Sequence, residues 1–206
     1  MSRHIGPVCR LCRREGQKLY LKGEKCFTKC TLEKRSSPPG MHSRMRRPSE
    51  YGLQLREKQK ARRFYGVGEK QFRRYFQKAI KVRGVTGKTL MQMLERRLDN
   101  VVYRAGFARS RSEARQIVNH GHVAVNGRKV DIASYQVSPG DEIAIRPRSL
   151  KMDKFKAMAE YLEGHTAPAW ISLDPQNWKC TILRLPERDE VDAPVDERFI
   201  VELYSK

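Results

Sequence analysis

Two cysteine pairs near the N-terminus have the spacing of a four-thiolate metal site. Cys9 and Cys12 are separated by two residues, Cys26 and Cys30 by three, and thirteen residues lie between the pairs. Each pair can supply two sulfurs from one turn, and the intervening loop can fold back to close a tetrahedral site. The pattern predicts zinc, and an iron–sulfur cluster, which also takes four cysteines, is the alternative. Because this polar segment has little core, a metal would contribute to its folding free energy.

The first residues and the lengths of the apolar runs indicate the cellular compartment, and the compartment bears on the state of the cysteines. Residues 1–6 lack the apolar stretch of a signal peptide, and no apolar run approaches the roughly 20 residues of a membrane span. We therefore expect a cytoplasmic protein, in which metal ligation is favoured over ordinary or disulfide-bonded cysteines. Cys180 stands apart and precedes Thr181 and Ile182, which predicts a buried or half-buried strand residue.

The charge of the chain is strongly positive and unevenly placed. The 206 residues contain 43 Lys and Arg against 23 Asp and Glu, a net charge of +20. Residues 1–115 hold 31 of the basic and 9 of the acidic residues, whereas residues 116–206 hold 12 and 14. Because Lys and Arg on a phosphate backbone release condensed counterions, this distribution predicts a nucleic-acid partner contacted mainly by residues 1–115.

Basic residues with few acids near them predict phosphate contact by two helices and by the segment before them. A solvated helix face normally carries both signs of charge, and here Glu57 and Glu69 are too few to neutralise the cations. The aromatic residues interleaved with them are predicted to anchor the core: Tyr65, Phe72, Tyr75 and Phe76. The RNA contacts predicted in this part of the chain are Arg44, Arg46, Arg47, Arg56, Lys58, Lys60, Arg62, Arg63, Arg73 and Arg74.

A second basic surface is predicted at the start of a later helix. Ser110 and Glu113 have the spacing of a capping box, which begins a helix. Arginines at such a start add to the positive end of the helix dipole, and a polar turn at the far end completes a compact surface for RNA. For the histidines, turn capping or packing is an equal alternative. The contacts predicted here are Arg104, Arg109, Arg111, Arg115 and His120.

Hydrophobic spacing and turn residues predict the elements that position these side chains. Apolar residues at helical spacing predict helices over residues 49–65, 69–82, 88–104, 110–120 and 152–162. Period-two alternation predicts strands over residues 122–125, 128–130, 142–145, 181–185 and 198–204. Asn126-Gly127 predicts a tight hairpin turn between the first two strands.

These elements predict an α+β fold in four segments. Residues 1–48 form a cysteine-rich, basic, loop-rich segment that binds the metal, and residues 49–93 form a basic helical domain. Residues 94–150 form a helix-helix-hairpin RNA-binding module with a small antiparallel sheet. Residues 151–206 add a helix and strands that pack back on the earlier domains.

Several stretches of the chain resemble one family of RNA-binding proteins. Residues 94–108, 110–116 and 120–127, which include Arg96-Arg97-Leu98-Asp99-Asn100, resemble the RNA-binding module named after small-subunit ribosomal protein four. Outside the module, Gly6-Pro7-Val8-Cys9, residues 46–51, residues 56–60 and Glu202-Leu203-Tyr204-Ser205-Lys206 resemble the same family, in its bacterial form. The resemblance therefore runs nearly from end to end.

This resemblance implies a structural protein of the small ribosomal subunit. Such a protein binds ribosomal RNA directly and early, and nucleates assembly of the subunit body at a multi-helix junction. The resemblance also implies ribosomal protein five as a neighbour, and a place near the path by which messenger RNA enters, with influence on decoding accuracy. The metal-binding branch of the family carries four cysteines, which match Cys9, Cys12, Cys26 and Cys30.

Two other functions are compatible with parts of the sequence. Pseudouridine synthases carry the same module, and Arg97-Leu98-Asp99 is superficially similar to their catalytic triplet. Here the triplet lies in a predicted amphipathic helix and no large catalytic domain follows, so Asp99 is expected to be a surface or capping carboxylate. The chain has no Walker loop, Gly-x-Ser-x-Gly or His-Glu-x-x-His motif, and we predict that it is not an enzyme. A free translational regulator that binds messenger RNA would use the same surface.

Overall fold

The computed structural model describes residues 4–41 and 47–205. They belong to two compact units. The first, here called the basic unit, comprises Met1–Met91 and Asp192–Lys206, and the second, the module unit, comprises Gln92–Val191. None of the helices in these described ranges has the length and apolar content needed to span a membrane.

The cysteine-bearing segment is more helical than the sequence predicted. It contains three short helices, α1 (Cys9–Glu15), α2 (Lys25–Thr28) and α3 (Thr31–Lys34). Turns and loops make up the rest of the described residues before Ser49, and Gly16 takes up the left-handed conformation (φ 68°) that ends α1 and lets the chain turn. Helix α1 packs against α3 and against the first long helix.

The two predicted basic helices are confirmed as α4 (Glu50–Phe64) and α5 (Glu69–Lys81). Ser49 caps α4, since its hydroxyl accepts a hydrogen bond from the Gly52 backbone N–H at 3.2 Å. The predicted aromatic anchors are all at most 6% exposed, which confirms their place in the core: Tyr65, Phe72, Tyr75 and Phe76.

The C-terminal strand predicted over residues 198–204 is wrong, because this segment is a helix, the last of the chain (Glu197–Ser205), which packs on α4. The Asp196 carboxylate accepts a hydrogen bond from the Arg198 backbone N–H at 2.9 Å, as a residue before a helix does. Ile200 and Tyr204, four residues apart, share the inner face, and the Tyr204 ring lies 4.7 Å from that of Phe76. The apolar alternation was therefore incidental to the packing.

The helix predicted over residues 88–104 is two helices, α6 (Thr86–Glu95) and α7 (Leu98–Arg104). Arg97 between them is extended (ψ 134°) and forms a bridge with Gln136. The Leu98 N–H donates to the Tyr135 carbonyl at 2.9 Å, so a distant strand-like segment takes the hydrogen bond that would have continued the helix. Leu98 is nevertheless fully buried, as its spacing predicted.

The module unit places α7 and α8 (Arg111–Asn119) against a five-stranded antiparallel sheet. The strands are β1 (Val123–Val125), β2 (Arg128–Lys129), β3 (Glu142–Ile145), β4 (Ile171–Asp174) and β5 (Lys179–Ile182), in the order β2-β1-β3-β5-β4. The predicted hairpin is confirmed, with left-handed φ angles of 49° at Asn126 and 77° at Gly127. Strands β4 and β5 extend the sheet beyond the predicted module, and β4 was not predicted.

Between β3 and β4 the chain forms three short helices, α9 (Pro147–Leu150), α10 (Asp153–Lys156) and α11 (Ala159–Glu163). The single helix predicted over residues 152–162 is interrupted because the Met158 N–H donates to the Phe155 carbonyl, only three residues back. Helices, strands and these turns enclose one apolar core, whose largest members include Phe107, Phe155 and Trp170.

Candidate nucleic-acid interface

Helix α5 presents one face to the core and a strongly basic face to solvent. Phe72, Tyr75, Phe76 and Ala79 are buried. The exposed basic side chains recur at helical spacing and form no ion pair with any other residue that the structure describes: Lys70, Arg73, Arg74, Lys78 and Lys81. Because like charges on one helix face repel one another, this arrangement is stabilised by a polyanion.

Several cations of α4 are neutralised by acids of the basic unit, both from α1 and from α4 itself. Glu15 of α1 is 1% exposed and pairs with Arg56 at 3.6 Å and with Arg63. Burial raises the pKa of Glu15, although Arg63 and Arg56 oppose the shift, and burial lowers the pKa of Arg63. Within the helix, Lys60 pairs with Glu57 at 2.5 Å. These cations therefore hold the basic unit together as well as contributing charge.

Glu69, the first residue of α5, is the centre of a second cluster of ion pairs and hydrogen bonds. It accepts from Lys58 at 3.0 Å, from Arg62 at 2.7 Å and from the Tyr204 hydroxyl at 2.8 Å. Burial alone would raise the pKa of Glu69, but the hydrogen bonds from Lys58 and Tyr204 lower it on balance. Burial and the bond to Glu69 raise the pKa of Tyr204. The carboxylate is thus ionised and ties three helices of the basic unit together.

In the module unit, the predicted cap at the start of α8 is present in a modified form. The Ser110 hydroxyl accepts from the Glu113 N–H at 3.3 Å, and the Glu113 carboxylate accepts from the Arg109 N–H at 2.8 Å. Arg109 is exposed, and its guanidinium lies 5.8 Å from the centre of the Tyr161 ring. The cap therefore fixes the backbone that carries Arg109 at the edge of the unit.

A buried polar network orients Arg111 and Arg104. The Glu95 carboxylate accepts two hydrogen bonds from Arg104, at 2.9 and 3.0 Å, and one from the Asn100 amide at 2.7 Å. The Asn100 oxygen in turn accepts from the Arg111 Nε at 2.9 Å, and the Arg111 guanidinium lies 4.4 Å from the Tyr103 ring centre. Hydrogen bonding and cation–π contact thus hold the half-buried Arg111 in one orientation.

Asp99 is not the surface or capping carboxylate that the sequence predicted. It is 4% exposed and accepts two hydrogen bonds from Arg97, at 3.0 and 2.8 Å, and two from Arg115, at 2.8 and 2.6 Å. Arg97 is itself 1% exposed, so the pair is buried. The carboxylate joins the residue between α6 and α7 to α8, and its role is structural.

Two histidines lie at the far end of α8, with ring centres 6.0 Å apart. His120 is exposed, while His122 is half-buried and its Nδ1 lies 2.9 Å from the Ser149 hydroxyl. Burial lowers the pKa of His122, and His120, Lys154 and Arg146 lower it further. His122 therefore favours the neutral form, and His120 is the histidine that faces solvent.

Of the four N-terminal cysteines, Cys9 is half-buried and the other three are buried. Burial raises the pKa of Cys12, a hydrogen bond with the Leu19 backbone opposes the shift, and the charges of Cys26, Cys9 and Cys30 raise it further. Four thiols are a donor set that suits zinc, and zinc would bind them as thiolates against this rise in the pKa of Cys12. Among the residues that the structure describes, however, no group of three or more His, Cys, Asp or Glu has an arrangement able to hold a metal ion. Cys180 is buried in β5, as predicted, and burial raises its pKa to about 12.

The other predicted RNA contacts lie in the segment before α4 and on α5. Arg44 and Arg46 lie outside the described residues, and Arg47 is exposed. Sequence reasoning assigned Arg73 and Arg74 but overlooked Lys70, Lys78 and Lys81 on the same face of α5. Their spacing of three and four residues from those arginines was the signal that could have found them.

Comparison with known proteins identifies the class to which this fold and these basic surfaces belong. The family model for the ribosomal protein S4/S9 N-terminal domain matches residues 3–95, and that for the S4 domain matches residues 96–143. The chain is 61% identical to small ribosomal subunit protein uS4A of Symbiobacterium thermophilum over the whole of both chains. It is 57% and 54% identical to the uS4 proteins of Natranaerobius thermophilus and Thermus thermophilus, again over both full lengths.

The chain therefore belongs to the uS4 family of small ribosomal subunit proteins. This family consists of structural ribosomal components, which confirms the prediction that the chain is not an enzyme.

Proposed function

We propose that this chain is a structural constituent of the small ribosomal subunit and binds ribosomal RNA. The observation that carries the proposal is the exposed face of α5, where five cations have no ion-pair partner among the described residues. The charged start of α8, with Arg109 exposed and Arg111 held in place, supplies a second contact surface. Both surfaces suit phosphates and the shape of RNA rather than a base sequence.

The family resemblance supports a more specific role. Direct and early binding at a multi-helix junction of the RNA would nucleate assembly of the subunit body. Ribosomal protein five would be a neighbour, and a place near the path of the messenger RNA would let the protein influence decoding accuracy. The RNA contacts that we propose are those predicted above, together with Lys70, Lys78 and Lys81. The exceptions are Lys58, Lys60 and Arg104, because each is only 8% exposed and pairs with a carboxylate of the protein.

We also propose that Cys9, Cys12, Cys26 and Cys30 bind zinc, with an iron–sulfur cluster as the alternative. The spacing of the four cysteines along the chain, and the resemblance to the four-cysteine branch of the family, support this. When bound, the metal would stabilise the segment and have no open position for catalysis. Metal analysis of protein purified with and without air distinguishes the two, and absence of metal from both preparations contradicts the proposal.

Binding of small-subunit ribosomal RNA at several salt concentrations tests the main proposal. Reversing Arg73 and Arg74 to Glu should weaken binding and flatten the log–log salt slope by about 0.7–0.9 for each phosphate that the protein no longer neutralises. The control reverses Lys151 and Lys179, basic residues that are also exposed but lie after residue 150. Equal losses of affinity in both variants contradict the proposal. Sedimentation of a lysate separates a subunit protein from a free messenger-binding regulator.

A further inference from the structure

Phe27 is the phenylalanine that stands out from the others by its exposure. Its exposure is 70%, whereas five others are at most 3% exposed: Phe64, Phe72, Phe76, Phe107 and Phe155. Single exposed apolar side chains are common on protein surfaces, so exposure alone assigns no role to Phe27. Its immediate surroundings add two further observations.

The first is that one side of the Phe27 ring packs against another aromatic ring. It stacks on Tyr20 with ring centres 5.0 Å apart and planes inclined by 29°. Tyr20 has a φ of 51°, in the left-handed region that bulky residues rarely adopt and that costs them free energy. Tyr20 thus combines an unfavourable backbone conformation with a ring stacked on Phe27, and most of Phe27 remains open to solvent.

The second is the positive charge of the residues that precede and follow Phe27 in the chain. Lys22, Lys25 and Lys29 are exposed and form no ion pair with any residue in the described part of the chain. Glu24 is the single acid between residues 22 and 29. An apolar protein surface that covered the whole segment from residue 22 to residue 29 would also have to desolvate these ammonium groups. An anionic polymer that carries flat apolar rings matches both features, and RNA is such a polymer.

We propose that Phe27, supported by Tyr20, is a stacking site for an unpaired base of RNA, with the three lysines on the adjoining phosphates. The proposal rests on the RNA-binding function proposed above and adds a named contact to it. Stacking on a phenylalanine is tolerant of base identity, because every base has a π face. The site therefore selects a loop, bulge or strand end over a duplex, in which the bases are stacked on one another.

The test measures binding of the full-length chain to small-subunit ribosomal RNA. Phe27→Leu keeps an apolar side chain but removes the ring, and should weaken binding roughly 5- to 150-fold, the range for loss of one stacked base. The salt slope should stay unchanged, because stacking releases no counterions, whereas Lys25→Ala should reduce it by about 0.7–0.9. Phe27→Trp should restore binding. Val85→Ala, at an apolar residue with a similar exposure of 71%, should bind like the wild type.

A second measurement, which needs no variant, is ultraviolet cross-linking of the wild-type complex followed by mass spectrometry. We expect a cross-link between RNA and Phe27. Wild-type affinity in Phe27→Leu, or no cross-link at Phe27, overturns the stacking site while leaving the proposed function intact. If Phe27→Leu instead retains RNA affinity but fails to enter the subunit, the ring contacts a protein, which also overturns the proposal. Failure of the wild type to bind the RNA overturns both.

Discussion

Removal of the Asp99 side chain tests whether the buried ion pairs stabilise the module unit. Asp99→Ala deletes four charge-assisted hydrogen bonds of 2.6–3.0 Å and leaves the Arg97 guanidinium, 1% exposed, buried without this carboxylate. Loss of one partner of a buried ion pair costs about 3–5 kcal/mol, because the remaining charge stays desolvated. The exposed pair of Lys129 and Asp131, 3.5 Å apart, provides the control, and Asp131→Ala should cost about 0–1 kcal/mol.

Urea unfolding followed by tryptophan fluorescence measures both effects. The two tryptophans of the chain, Trp170 and Trp178, lie in the module unit and are at most 9% exposed, so their emission reports that unit. The unfolding midpoint of Asp99→Ala should fall far below that of Asp131→Ala at a similar m-value. If the two variants differ by less than about 1 kcal/mol, water or other groups solvate Arg97 and the reasoning about its desolvation is refuted.

Four further outcomes are expected. Leu98→Ala should destabilise the module unit by about 2–5 kcal/mol in the same urea assay, because Leu98 is fully buried; a loss below about 1 kcal/mol would place it outside the core. The pKa of His122 is lowered from 6.5 in the folded state, so the unfolded state binds the proton more tightly and stability should fall as pH drops through 6.5. His122→Gln should lessen that loss in unfolding curves taken over a pH series, and an identical pH dependence would contradict it. Cys180, with a pKa of about 12, should resist iodoacetamide at about pH 8 until the protein unfolds. In metal-free protein the half-buried Cys9 should react first. Peptide mass spectrometry of the alkylated protein measures both reactions. Cys26→Ser should abolish metal binding and weaken RNA binding while leaving tryptophan emission unchanged, and retention of one full equivalent of metal would refute the four-thiolate assignment.

Features that depend on neighbouring residues were predictable from the sequence. Ser49 and Ser110 were identified as caps because a cap needs only a hydroxyl and a free N–H within three residues. The Asn126-Gly127 turn follows from the left-handed backbone that these two residues tolerate. The burial of Leu98 and of the aromatic residues of α5 follows from helical spacing. The uneven distribution of charge, and hence a polyanionic partner, needs no fold at all.

Features that depend on distant residues were decided by the tertiary structure. Glu15 neutralises Arg63 from 48 residues away, so no inspection of α4 alone could tell which of its cations are held inside the protein. The break between α6 and α7 is made at Arg97 by a segment near Gln136. The last helix of the chain replaces a predicted strand and packs on α4, where Gln54 donates to Glu202 at 3.0 Å and the Lys58 ammonium lies 5.7 Å from the Tyr204 ring centre. In the last two cases the local sequence is compatible with two conformations, and the free energy of a long-range contact selects one of them.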